Sequence, residues 1–230
     1  MLFDIDGTLT ESNQLDSICY VEAVKRVLGI DHVDDDWSHY HHVTDAGVLA
    51  EIYQRHFSKD ISEAVVSEFK EQFLQTIRNK LRSTSAGMRP VAGAPEALGI
   101  LRESDEWEIA LAGGCWKESA EIKLQHARMK LDDIPIFSAD DAIARTEIIS
   151  KAIDTMLTTA GLDRFGRIVY VGDGIWDLKA SSELDIVFLG IGAARERLLA
   201  AGASHAINDY SDIQEFMHAL KNCSVPTNLK

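Results

Sequence analysis

Beyond Pro90 the sequence switches repeatedly between short β-rich runs and helical stripes, and that alternation limits the fold more than any other feature. The β-rich runs are Glu108–Ala112, Pro135–Phe137, Ile168–Val171 and Ile186–Leu189. Strand runs separated by helix-length segments favour βαβ units, hence a parallel sheet with helices on both faces. From Ser12 to about Arg89 the pattern is instead helical and poor in strand signals. Leu15, Ile18, Val21, Val24, Val27 and Leu28 form one apolar stripe at helical spacing. Val66, Phe69, Phe73, Ile77 and Leu81 form another, punctuated by Ser58 before and Gly87 after. Both read as core faces. The apolar run at Met1-Leu2-Phe3 must then join the sheet across this helical insertion. The expectation is an α/β core of residues 1–12 and 90–230, with residues 13–89 inserted as a helical cap domain.

Bulk properties narrow the function. A chain of 230 residues can bury a sizeable core, and 46% hydrophobic with 26% charged residues is ordinary for a globular enzyme. The net charge of −14 argues against nucleic acid or an anionic membrane as a main partner. Three cysteines, Cys19, Cys115 and Cys223, are few and odd in number, which suits reduced thiols. No signal region or membrane-length apolar run is present, so a cytoplasmic location is expected. Only three residues precede Asp4, fewer than most central strands supply, so native residues ahead of Met1 are expected. The tail after Asn222 is expected to fray. Oligomeric state and pathway leave no mark in the sequence.

The chemistry concentrates at Asp4-Ile5-Asp6-Gly7-Thr8-Leu9. Two carboxylates spaced two apart at a strand's end turn toward one site as the chain leaves the sheet. Gly7 permits a tight turn over an anionic ligand, and Thr8 adds a hydroxyl. Like charges this close need a cation or a shared proton, and Mg²⁺ is the natural partner of hard oxygen ligands beside a phosphate. A second motif, Gly172-Asp173-Gly174-Ile175-Trp176-Asp177, follows the buried-strand run ending at Val171. In open α/β sheets ligands bind beyond the carboxyl ends of strands, which gathers Asp4, Asp6 and Asp173 into one crevice.

The first motif resembles the D-x-D-G-T-L signature of the haloacid dehalogenase superfamily at every position, and the second resembles its G-D-x-x-x-D motif. The resemblance spans nearly the whole chain and is nearest to the branch containing phosphoglycolate phosphatase and β-phosphoglucomutase. It implies a Rossmann-like core with a helical cap inserted after the first motif. It further implies a Mg²⁺-dependent phosphatase acting on a small phosphorylated metabolite through an aspartyl-phosphate. Asp4 would be the nucleophile and Asp6 the general acid and base. The metal set would be drawn from Asp4, Asp6 (through its main-chain carbonyl), Asp173 and Asp177. The presence of Asp6 favours phosphate chemistry over carbon–halogen cleavage.

Two motifs depart from the family pattern. The second motif ordinarily ends a strand with Ser or Thr, yet Gly113 stands there, within Ala110-Leu111-Ala112-Gly113-Gly114-Cys115. Backbone N–H groups of Gly113 and Gly114 are the expected substitute phosphate cradle. A lost charge-assisted hydrogen bond costs about 1.5–3 kcal/mol, which slows catalysis without abolishing it. Cys115 reads as a small filler. For the basic third motif Arg145 is the candidate, with Lys117 and Lys151 as weaker alternatives. In the helical region Tyr40-His41-His42-Val43-Thr44-Asp45 is a polar, ring-rich cluster. Thr44 is a candidate substrate contact there, as are Tyr40 and His42, while Thr44 or Asp45 also suits a helix N-cap. Two other readings stay open. One is a phosphomutase or phosphonatase-like relative, the latter wanting a cap lysine where only Lys25 is available. The other is a weakened domain that binds a ligand or a protein.

Overall fold

The structure, a computed structural model, describes residues 1–83, 88–129, 131, 133–227. Six parallel strands form one sheet: β1 (Leu2–Phe3), β2 (Ala110–Ala112), β3 (Ile136–Phe137), β4 (Val169–Gly172), β5 (Val187–Ile191) and β6 (Ala206–Ile207). Their order is β3-β2-β1-β4-β5-β6. This is the doubly wound order of a Rossmann-like sheet, whose switch point lies where successive connections leave in opposite directions. That point is β1. Leu2 pairs with both Ala110 and Tyr170, so two residues suffice for a central strand once both neighbours clamp it.

Strand alternation divides the core into two layers. Phe3, Leu111, Val169, Val171 and Leu189 face one side, while Leu2, Ala110, Ala112, Tyr170 and Phe188 face the other. The first face is covered by helices α4 (Ala94–Arg102), α5 (Lys117–His126) and α9 (Ile213–Asn222) through Leu98, Leu124 and Phe216. The second is covered by α6 (Arg145–Ala160) and α7 (Ile175–Glu183), with Leu198 of α8 (Arg195–Ala200). The sheet edge at β6 carries no strand signal in the sequence. Two residues are too few to show a period.

Residues 13–83 hold helices α1 (Asn13–Ala23), α2 (Asp45–Phe57) and α3 (Glu63–Ser83), with no strand among them. α1 runs into a π-helical turn at Val24–Leu28, and a 3₁₀ turn spans Trp37–His39. On α3 the expected stripe is the buried one: Phe69, Phe73, Ile77 and Leu81 all face inward. On α1 the stripe is wrong at Ile18, which is 48% exposed, while Cys19, Tyr20, Ala23 and Val24 are buried. At about 100° per residue, successive steps of three drift by about 60° each around the axis, so a stripe spaced by three leaves the face of Cys19, Tyr20 and Ala23 within α1 itself. The expected terminator Gly87 lies outside the described residues.

This helical segment joins the sheet's first face through one aromatic cluster. The Tyr20 ring lies 5.0 Å from Phe69, 5.5 Å from Phe73 and 6.4 Å from Trp116, which leads into α5. The tail is not frayed as far as Thr227. Phe188 N–H donates to Ser224 O, Arg167 to Cys223 O, and Thr227 N–H to Gly202 O. Phe73→Ala removes a fully buried ring from the cluster that joins the two parts. We expect it to cost about 3–5 kcal/mol in chemical denaturation.

Candidate active site

The carboxyl ends of β1, β2 and β4 meet at the switch point, and each carries its motif there. Asp4 follows β1, Gly113 and Gly114 follow β2, and Asp173 follows β4, with Asp177 one turn into α7. Carboxylate oxygens of Asp4, Asp173 and Asp177 all lie within 4.8 Å of one another. Gly7 makes this possible. Its φ of +73° is left-handed, and a Cβ there would sit 2.0 Å from Asp173 Oδ2.

One cation serves this trio. Arg145, at the start of α6, brings Nη1 to 2.9 Å from Asp177 Oδ1 and 3.3 Å from Asp4 Oδ1. Tyr170 steadies it: its hydroxyl accepts from Nη1 at 3.2 Å and donates to Ala112 O at 2.7 Å. The alternative bases lie elsewhere. Lys117 is exposed, and Lys151 is exposed and donates to Asp141 O. Burial, then the neighbouring Asp177 charge, pushes the Asp4 carboxyl well above the usual carboxylate range, against the opposing pull of Arg145. Burial and Asp177 likewise push Asp173 up to about 7, although Asn13 Nδ2 donates to its Oδ2 at 2.8 Å. When all three are ionised, three carboxylates beside one guanidinium leave an excess of two negative charges. That excess and the all-oxygen donor set fit a divalent hard cation such as Mg²⁺.

Asp6 has separate partners. Ser12 Oγ donates to its Oδ1, and Lys123 Nζ lies 2.7 Å from its Oδ2 and 2.6 Å from Asp16 Oδ1. The Asp6 carboxylate is thus outside the trio, which leaves its main-chain carbonyl for any metal contact. Lys123 escaped the sequence reading. It is fully buried on α5, and the facing carboxylates of Asp16 and Asp6 outweigh burial and hold its ammonium charged. Nothing in the sequence distinguishes it from a solvated helix lysine, since only its partners, far apart in the chain, explain its burial.

The remaining expected contacts divide. Gly113 donates its N–H to Phe137 O at 3.1 Å, so that group is unavailable to a phosphate. The same residue packs on the first carboxylate: a Cβ there would lie 2.6 Å from Asp4 Oδ1. A Cβ on Gly114 would lie 2.4 Å from Arg145 Nη2. Gly114 lines the cavity between the two parts of the chain; Gly113 and Thr8 do not. Thr8 is fully buried, so the hydroxyl expected at the ligand is turned into the protein. Thr44 lines the cavity but is also the N-cap of α2, accepting from Gly47 N–H at 3.0 Å and donating to Ile143 O at 2.7 Å. Tyr40 and His42 line an adjoining compartment. Cys115 lines the cavity with its thiol pushed up by burial, and so stays protonated as a filler. Lys25 is bound to Asp31 on the surface, and no lysine among the described residues lines the cavity. That removes support for Schiff-base chemistry.

A doubly wound sheet with an acidic cluster and a buried arginine at its switch point places a charged site where such sheets bind their ligands. The family profile for haloacid dehalogenase-like hydrolases matches residues 1–185, and the chain belongs to that family. No curated protein sequence matches it significantly. Among solved structures, a hydrolase from Pseudomonas syringae superposes with a TM-score of 0.73 at 20% identity, covering 94% of this chain and 96% of that one. A predicted phosphoglycolate phosphatase from Haemophilus somnus 129PT gives 0.62 at 16% identity, covering 94% and 96%. CbbY from Rhodobacter sphaeroides, in complex with xylulose-1,5-bisphosphate, gives 0.66 at 16%, covering 92% and 94%. At these identities the likeness is one of fold. No helix among the described residues is long and apolar enough to cross a membrane.

Two substitutions probe this geometry. Lys123→Met leaves Asp6 and Asp16 facing each other uncompensated, and we expect a loss of about 3–5 kcal/mol in denaturant titration. Pairing it with Asp16→Asn should recover part of that loss. Gly113→Ser restores the family's hydroxyl but drives its Cβ into the Asp4 carboxylate. Turnover at saturating substrate should fall at least about tenfold rather than rise, the loss of well over 1 kcal/mol that displacing an aligned carboxylate implies.

Proposed function

We propose that this chain is a Mg²⁺-dependent phosphatase that hydrolyses a small phosphorylated metabolite through an aspartyl-phosphate on Asp4. The observation that supports it is the trio of Asp4, Asp173 and Asp177 with its excess negative charge, set against a single guanidinium at the switch point. Asp4, Asp173 and Asp177 would hold the ion. Bound there, Mg²⁺ supplies the charge neutralisation that lets an anionic phosphate approach carboxylates.

The chain's own residues account for the rest. An Asp4 oxygen attacks phosphorus, forming the P–O bond to the enzyme as the ester P–O bond breaks. Arg145 holds that carboxylate and its neighbour Asp177 in place, so the attacking oxygen is oriented before the substrate arrives. Asp6 lines the same cavity, fixed by Ser12 and Lys123. It gives a proton to the leaving alcohol and later takes one from the water that attacks the aspartyl-phosphate. Gly114, facing the cavity, brings main chain close to the phosphate. Residues 13–89 serve as a cap that closes over the strand ends and residues 1–12 and 90–230 as the catalytic core.

The deciding experiment measures phosphate release from a panel of phosphorylated metabolites, with and without Mg²⁺, for the unmodified protein and Asp4→Asn. Metal-dependent turnover reduced at least about a thousandfold by the substitution supports the proposal. Mg²⁺ binding without turnover on any compound would instead favour a ligand-binding domain.

A second measurement needs no substrate. Asp173, with its folded-state value near 7, binds a proton more tightly folded than unfolded. In the metal-free protein its contribution to stability is therefore present at low pH and lost as pH rises toward that value. A metal takes the proton's place. The gain in Tm on adding Mg²⁺ should be larger at about pH 8 than at about pH 5.5.

A further inference from the structure

We propose that the substrate is a monophosphate ester whose alcohol part is small, apolar and free of a second charged group, seated against Tyr20, Trp37 and Val48. The inference rests on the phosphatase reading and narrows it. A leaving oxygen that takes its proton from Asp6 has to lie within hydrogen-bond reach of that carboxylate. Asp6 lines the cavity shared by both parts of the chain, so the alcohol occupies that cavity. The helical part contributes Ser17, Tyr20, Trp37, Thr44, Asp45 and Val48 to its wall. Trp37 stands edge-on to Tyr20 with ring centroids 5.5 Å apart, giving the alcohol an aromatic surface.

Charge decides against an anionic tail. Among the described residues Arg145 is the one basic side chain lining this cavity, and its Nη atoms are engaged by Asp4, Asp177, Tyr170 and Val43 O. Lys123 is fully buried behind Asp6 and Asp16 and does not line it. A carboxylate or second phosphate on the alcohol would be desolvated beside Asp16 and Asp45 without a counter-ion. A cationic tail fares little better. Asp16 already pairs with Lys123 at 2.6 Å, and Asp45 Oδ2 accepts Trp116 N–H at 2.9 Å.

Basic groups do occur nearby, but on the wrong side. His41, His42 and Lys179 line the adjoining compartment, which shares Val43, Arg145 and Trp176 with the first. Asp6 is absent from that wall, so an alcohol lying there would place its oxygen out of the acid's reach. Size completes the description. The cavity is about 200 Å³, and an apolar cavity of about 150 Å³ already takes up benzene. The space suits a phosphoryl group with a short branched chain or a single ring.

The test compares kcat/KM with Mg²⁺ for benzyl phosphate, propyl phosphate, phosphoglycolate and phosphocholine. We expect the two uncharged alcohols to exceed both charged ones by at least tenfold. Ser17→Arg, which puts a cation on the alcohol's wall, should shift the ratio toward phosphoglycolate, and Trp37→Ala should narrow the lead of benzyl phosphate. Calorimetric Kd values for benzylphosphonate and phosphonoacetate, which cannot be hydrolysed, make the same comparison without turnover. Faster turnover or tighter binding of the charged compounds overturns the inference. Absence of turnover on every ester, with benzylphosphonate still bound at least tenfold more tightly, overturns the phosphatase reading while the preference of the cavity stands.

Discussion

The structure depends on how it tolerates carboxylates crowded at the edge of a buried sheet. Asp4 and Asp177 are among its buried residues, and burial of such groups is costly unless they are paired. Two buried cations meet that demand from opposite layers. Arg145 enters from α6, beneath one face, and takes Asp4 and Asp177. Lys123 enters from α5, beneath the other, and takes Asp6 and Asp16. The D-x-D pair is thereby split. The chain leaves β1 at Phe3 and turns at Gly7, so the two carboxylates meet different counter-ions, and each acquires a distinct electrostatic setting although they are two residues apart.

That division gives meaning to the glycines around the site. Gly113 lets β2 run directly against the Asp4 carboxylate, and Gly114 leaves room for the guanidinium beside it. The glycines therefore allow a tighter packing of the Asp4 carboxylate and its cation. The site is built from close main-chain approach where its relatives' pattern places a side chain.

Much of this was legible in the sequence, for local reasons. The acidic motifs are read directly because a strand end, a tight turn and an acid pair are all short-range features, and Arg145 stood out by opening a helical stripe. The six-stranded sheet followed from alternation, except β6, too short at Ala206–Ile207 to show a period. What stayed hidden depends on distant contacts. Lys123 is separated from Asp6 by 117 residues, and α5 carries no strong apolar stripe that would betray its buried face. Ile18 points outward because apolar residues spaced by three drift around a helix of about 3.6 residues per turn, and only the packing partners show which part of the drift is buried. The Gly113 N–H looked free until its partner on β3 was placed.

Residues 43–45 are held to the strand ends one after another. Val43 O accepts from Arg145, Thr44 donates to Ile143 O, and Asp45 exchanges bonds with Gly114 and Trp116. Lifting this stretch would break every one of those bonds, because they sit on consecutive residues. The first of them belongs to the guanidinium that also steadies the Asp4 carboxylate. The position of residues 43–45 and the setting of the Asp4 carboxylate are therefore coupled through one side chain, Arg145.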